Sequence, residues 1–399
     1  MKTFSVRTST SLIVIYLIAF SLGLEWTFVS SIGNILTSNN CDRLSPIQYG
    51  SLPFILVVGA IVISNIVAFL GRRHGMKKIL LFGITCAFFS MTLFGLSNKF
   101  FIQSNFEYGF LFFSQFVLGI CIGSLLTALN VYVVFLCKKF TASALVALYA
   151  CMGLGSASIP LFLQLLPNMC SWSDIPLSIA CIAAFLFLLA IWIVPEMQRS
   201  YPINKVNFGT FWDAKKTRLF QFALIVILFG ICESAFDYWG TIYLHHSKGV
   251  DIVEANYGLT MFWGMSTLGQ VVISALSIKI SPTRIYYTLS LLIAVSMFGF
   301  SLGKHFNIGI LPYVVGGLGC SAFFSLSINF AEKEFGRIIE IVSGMLVTGY
   351  FVGVGLGSLI IGLTYQMKNF NPANVYFSLG IVALVILGLS RRLLVAKLK

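Results

Sequence analysis

Three acidic side chains stand where a carboxylate is expensive. Glu25, Glu233 and Asp237 each fall inside a long apolar run, and an ionised carboxylate in hydrocarbon costs about 2.5 kcal/mol or more, so intramembrane acids usually face a wet cavity and have a function. Glu233 and Asp237 are four residues apart and share one face of a helix. No Lys or Arg lies deep in an apolar run to neutralise them. A carboxyl that stays protonated until water reaches it is the chemistry of proton-coupled carriage. A second reading stays open, in which hydrogen bonds hold these acids neutral and they only fix helix packing. For Asp237 a third is open, that it reaches water near His245 and His246. Those histidines read either as solvated helix-end residues or as groups whose protonation tunes coupling, and without a third ligand no metal is expected.

Neutral polar stripes accompany the acids. Gly123, Thr127 and Asn130 stand at i, i+4 and i+7, and Ser321, Ser325 and Asn329 at i, i+4 and i+8, so each set lies along one helix face. They read as cavity lining or as interhelical glue. Trp26, Trp239 and Trp263 lie in or near mid-run, where an indole either stacks on a solute ring or simply packs.

These residues need membrane spans to hold them. With 58% hydrophobic and 10% charged residues and a mean hydropathy of +0.93, the 399-residue chain is unlike a soluble domain, in which about a quarter of residues are charged. Its net charge of +13 is not that of a nucleic-acid binder, which needs its basic residues on a solvated surface. Apolar runs of about 20 residues occur near 10–36, 48–70, 79–97, 106–136, 141–166, 175–194, 218–244, 256–280, 283–303, 309–330, 338–364 and 374–395. The first is too long for a signal peptide and carries Glu25 and Trp26. The nine cysteines show no C-x-x-C spacing and read as small packing residues. Cys41 and Cys170 fall in loops on one side, where a disulfide between them is open. The expected fold is all-α and polytopic, with twelve transmembrane helices.

Placing both termini on one side puts 21 of the 26 basic residues there, so both termini are expected in the cytoplasm. The longest connection, 195–217, separates a six-helix half at 1–194 from another at 218–399. Residues recur between the halves: Glu25 with Glu233, Tyr49-Gly50 with Tyr257-Gly258, Phe54 with Phe262, Asn130 with Asn329, and Gly153 and Gly155 with Gly353 and Gly355. Their order predicts a parallel duplication.

At this level the chain resembles the major facilitator superfamily, over nearly its whole length. Gly71-Arg72-Arg73-His74-Gly75-Met76-Lys77-Lys78 is similar to that family's G-x-x-x-D-R-x-G-R-[RK] loop. Arg72 stands at the Asp position and Met76 at the second Arg. The resemblance implies a gating role for Arg72, Arg73, Gly75 and Lys77, and a positive-inside anchor explains the basic residues equally well. Residues 118–130, with Thr127 and Asn130 retained, are similar to the fucose permease pattern G-x-G-x-x-E-T-x-x-N-P. So are Glu233-Ser234, Trp239, Tyr243-Leu244 and Phe262-Trp263-Gly264. Leu126 and Val131 replace that pattern's acid and proline, so its helix-4 site is not carried over. The Gly155 to Pro160 stretch only partly resembles the antiporter motif.

The family resemblance implies a secondary carrier whose central cavity, lined by the first, fourth, seventh and tenth helices, opens alternately to the two sides. Proton-coupled uptake of a small neutral or zwitterionic solute is the leading expectation, because no intramembrane cation is present to hold an anionic one. Proton-coupled export of drugs, siderophore-like molecules or other metabolites is the alternative. A membrane enzyme or a sensor lacks its motifs here. No cofactor and no nucleic-acid partner are expected. The bacterial inner membrane is the expected location and a monomer the expected state.

Overall fold

The computed structural model describes residues 6–38, 44–101, 106–138, 140–164, 172–197, 208–277, 279–303, 306–335, 339–367 and 370–395. Among the described residues, twelve helices are long and apolar enough to cross a membrane. In chain order, spans 1 to 6 are Ser9–Leu36, Pro46–Ser64, Met76–Ser97, Glu107–Leu136, Ser143–Leu163 and Asp174–Ile193. Spans 7 to 12 are Thr217–Lys248, Ile252–Leu276, Pro282–Leu302, Ile310–Phe335, Val342–Gln366 and Pro372–Leu394. Helices are the form such runs must take, because lipid offers backbone N–H and C=O groups no other partner.

Local chemistry sets several ends. Ser45 and Gln48 form a reciprocal capping box with Pro46 in the first turn of span 2, which satisfies two otherwise orphaned donors. Asp251 accepts from Val253 N–H at the start of span 8. Gly75 separates spans 2 and 3 with φ +92°, a conformation L side chains avoid. Helix also begins at Phe208, inside the stretch read above as a loop.

The chain divides into two compact units, Met1–Tyr201 and Pro202–Lys399. In the first, span 1 packs on spans 5 and 6, span 2 on span 4, and span 3 on spans 4 and 6. The second repeats this pattern with spans 7 to 12. Backbone contacts at glycines align the repeats. A methyl group on Gly23 would strike the carbonyl of Met152, and one on Gly230 would strike that of Tyr350. Likewise Gly155 meets Phe20 O and Gly353 meets Ile227 O. These contacts correct the pairing read from the sequence, since Gly155 corresponds to Gly353 and not to Gly355. In the same register Glu25, two residues after Gly23, corresponds to Cys232, two residues after Gly230. Glu233 lies one residue further on, about 100° around the helix.

Spans 7 and 10 depart from regular helix. Residues Ala235–Trp239 form a π-helical turn within span 7. Span 10 is interrupted at Ser321 and Ala322, between helices Phe306–Cys320 and Phe323–Phe335. Its counterpart in the first unit, span 4, is continuous over Glu107–Leu136.

Candidate functional site

In the first unit, Gly23 and Gly155 bring span 1 against span 5, and this close approach fixes the rotation of span 1. Glu25, 1% exposed, is thereby turned to span 4. Ser21 Oγ donates to its Oε1 at 3.1 Å and Cys121 Sγ to its Oε2 at 3.4 Å, so each carboxylate oxygen has a donor. Cys121, which the sequence alone presents as a packing residue, is a ligand of the acid. An apolar neighbourhood does not reveal which polar atom a thiol meets. Trp26 is buried beside Glu25 in the sequence.

Further along span 4, Gly123 is a contact residue, because a methyl there would collide with Ile63 and Ala60 of span 2. Thr127 is half-buried and donates to Gly123 O at 2.9 Å. Asn130 donates through Nδ2 to Leu126 O at 2.8 Å and to the Tyr149 hydroxyl of span 5 at 3.0 Å. Tyr149 can return a bond to Asn130 Oδ1 at 3.2 Å. Glu107, 3% exposed at the first residue of span 4, is a further buried carboxyl, not singled out by its sequence position.

In the second unit, Glu233 is 8% exposed. The Tyr350 hydroxyl reaches its carboxyl from span 11, and Asp237 is near enough to interact with it. Its Oε2 atom is buried with no hydrogen-bond partner among the described residues. Neither Glu25 nor Glu233 has a cationic partner among the described residues; the ion pairs found there are Lys99–Asp174 and Arg218–Glu334.

Asp237 does not reach outward to water. It is 3% exposed, lies in the π-helical turn, and accepts from Trp263 Nε1 of span 8 at 3.1 Å. The turn has its own scaffold: Tyr376 donates to Ala235 O at 3.2 Å and Tyr313 to Phe236 O at 3.3 Å. Tyr313 occupies a slot that exists because Gly240 and Gly258 carry no side chain. Such π turns concentrate at functional sites. Trp239, in the same turn, is 1% exposed. Its Nε1 donates to Ser358 at 3.1 Å and its ring lies 4.9 Å from that of Tyr365, so this indole is committed to span 11. His245 Nδ1 bonds Val250 O at 2.8 Å, and His246 is exposed.

The span 10 stripe separates at the helix break. Ser321 packs against Gly269 of span 8, whereas Ser325 and Asn329 are exposed. The break could have been foreseen from Gly316, Gly317 and Gly319 just before it. In the first turn of span 3, Lys77 Nζ donates to Ile191 O at 2.7 Å, which places a cation at the C-terminal end of span 6. Arg73 is exposed. The Arg72 side chain, and Cys41 and Cys170, lie outside the described residues.

Known proteins share both the sequence pattern and the fold. The sequence profile of the Major Facilitator Superfamily matches residues 3–358. A protein of Helicobacter pylori strain J99 named "Putative glucose/galactose transporter" is 23% identical over 291 residues, covering 68% of this chain and 70% of that protein. Among solved structures, a point mutant of the nucleoside transporter NupG aligns with a TM-score of 0.80 at 14% identity, covering 97% of this chain and 99% of that one. The D-xylose-proton symporter aligns with a TM-score of 0.74 at 12% identity, covering 96% and 97%. A POT family transporter in complex with 5-aminolevulinic acid gives 0.76 at 15%, covering 94% of each chain.

Proposed function

The chain belongs to the Major Facilitator Superfamily, and on that premise we propose that this multi-pass membrane transporter takes up a small neutral or zwitterionic polar solute together with protons, by alternating access. The observation that carries the reading is the pair of carboxyls, Glu25 and Glu233, each buried in its own six-helix unit with no cationic partner among the described residues. A charge left uncompensated in a low-dielectric site is costly. Such a carboxyl is therefore poised to carry a proton and to release it when water enters. Asp237 and Trp263 add an acceptor and an indole donor one turn away, and Thr127, Asn130, Ser325 and Asn329 add neutral polar groups. Among the described residues no Lys or Arg pairs with Glu25 or Glu233, which disfavours a strongly anionic solute. The names of the sugar and nucleoside carriers above point to the same solute class.

The location proposed is a bacterial inner membrane, with both termini in the cytoplasm, where 21 of the 26 basic residues then collect. The proposal further takes the transporter to work as a monomer. The test is uptake of labelled D-glucose, D-galactose, uridine and glycine by proteoliposomes under an imposed pH gradient, in the parent protein and in Glu25→Gln and Glu233→Gln. The reading requires gradient-driven accumulation of at least one probe and its loss in at least one variant. Unchanged pH dependence in both variants refutes it. Export of a lipophilic cation is the second reading, favoured by Asp237 meeting Trp263 and Glu233 meeting Tyr350; efflux from loaded vesicles, with no uptake of the four probes, distinguishes it.

A further inference from the structure

Glu25 and Glu233 look like one position repeated, but the glycine contacts show that they are not. Gly23 and Gly230 make the same backbone contact, with Met152 and Tyr350 respectively, and counting from them puts Cys232 at the place of Glu25. The partners agree. Glu25 meets Cys121 of span 4, and Cys232 interacts with Cys320 of span 10. Glu233, one residue later, is rotated by about 100° and meets Tyr350 of span 11.

The two carboxyls therefore have different hydrogen-bond inventories. An ionised carboxylate accepts only. Glu25 has a donor on each oxygen, Ser21 from its own helix and Cys121 from span 4. Glu233 is 8% exposed and leaves Oε2 without a hydrogen-bond partner among the described residues, and an unmet buried acceptor is destabilising, the more so when it carries charge. Among the described residues, the titratable groups that interact with Glu233 are Asp237 and Cys232 from span 7, Tyr350 from span 11 and Cys320 from span 10, and none of them is cationic. A proton on Oε2 removes the charge and leaves a neutral hydroxyl, whose unmet hydrogen bond is less costly than that of an anionic oxygen. At Glu25 a proton would also remove a charge, but it would displace a donor already bound to the carboxylate.

We infer that Glu233 is the proton-exchanging carboxyl of the pair, taking and releasing its proton at Oε2, and that Glu25 is a positioning residue that ties span 1 to span 4. The inference rests on the proton-coupled reading above and assigns the coupling to one unit of the fold. The exchange is a simple association: a proton from water joins the carboxylate oxygen, and the same O–H bond breaks on release.

The test needs no transported solute. Purified protein in phosphatidylethanolamine and phosphatidylglycerol vesicles is examined by infrared difference spectroscopy after acid jumps, which reads the carboxylic C=O band of groups that gain protons. Glu233→Gln is expected to lower the band from buried, slowly deuterated carboxyls by about half or more, and Glu25→Gln to leave it unchanged. A loss in Glu25→Gln, or an intact band in Glu233→Gln, overturns the inference. Tyr350→Phe serves as a second variant that keeps the carboxyl. Removing the hydroxyl that reaches the carboxyl is expected to move the pH midpoint of the band, with Ser21→Ala leaving it in place; an unmoved midpoint in Tyr350→Phe also overturns the inference. Failure here with gradient-driven uptake still lost in Glu25→Gln moves the proton site to the first unit. Failure of coupled uptake in the parent protein refutes the broader reading instead.

Discussion

The contact between Trp263 Nε1 and Asp237 Oδ1 allows a quantitative test of whether the π-turn carboxyl is held as an anion. At 3.1 Å the bond lies within the ordinary N–H···O range, and both side chains are buried, at 9% and 3% exposed. A bond to a charged acceptor contributes about 1.5–3 kcal/mol, against about 0.5–1.5 kcal/mol for one between neutral groups. Trp263→Phe removes the donor and also part of the ring, so its total cost of about 2–5 kcal/mol mixes hydrogen bonding with lost packing. A double-mutant cycle with Asp237→Asn cancels the packing part, because the amide still offers an oxygen to the indole. If Asp237 is ionised in the folded protein, the coupling is the difference between the two kinds of bond, about 1–2 kcal/mol. The assay is denaturant unfolding in mild detergent, followed with a thiol-reactive fluorogenic dye. Its targets include Cys86, Cys121, Cys232 and Cys320, all buried in the folded protein. Additive single effects, with coupling under about 0.5 kcal/mol, refute the claim that the bond holds a charge.

Three further outcomes follow from the packing and the ion pairs. Gly353→Ala and Gly23→Ala each drive a methyl group into a backbone carbonyl, Ile227 O and Met152 O respectively, and are expected to destabilise by about 1–3 kcal/mol. Gly75→Ala meets no atom within 4 Å and costs only its backbone conformation, φ +92° and ψ +146°, about 1–3 kcal/mol; melting temperatures of the three variants check these costs. Arg218 grips Glu334 with Nε at 2.7 Å and a terminal nitrogen at 3.1 Å. Because the Glu334 side chain is 10% exposed and that of Arg218 25%, Arg218→Ala is expected to cost about 2 kcal/mol, below the range for a fully buried pair. Lysine at that position should restore less than half, lacking the planar fork, as read by the same unfolding assay. Tyr149→Phe removes the partner of Asn130 but is itself 39% exposed, so stability should fall by only about 0.5–1 kcal/mol. A fall of about 3 kcal/mol would place that pair in the core instead.

The sequence reading reached the acids more readily than their surroundings. Glu25, Glu233 and Asp237 are conspicuous because charge is rare in apolar runs. Tyr350, Ser21 and Cys121 are not, since nothing in their own segments distinguishes a hydroxyl or thiol that meets a carboxylate from one that meets a carbonyl. Tyr313 and Tyr376 are hidden for the same reason: their hydroxyls matter only because residues 235–239 form a π turn. The π turn has no local marker in the chain, whereas the break in span 10 has one in its three glycines. Asp237 was open to an outward, watery reading by its distance along the helix, and Trp263 on a neighbouring span closes that reading.

Twelve apolar runs, their helical form and the short list of intramembrane acids are properties of the sequence alone, because hydrophobicity is local and lipid leaves the backbone few options. The azimuth of each side chain is not. One residue turns a helix by about 100°, so the one-residue slip between Glu25 and Glu233 leaves both acids in matching spans yet aims them at different neighbours. Only the glycine contacts of span 1 with span 5, and of span 7 with span 11, fix those rotations. Tertiary packing, set by which backbones can touch, therefore decided which carboxyl has both oxygens occupied and which keeps one without a partner among the described residues.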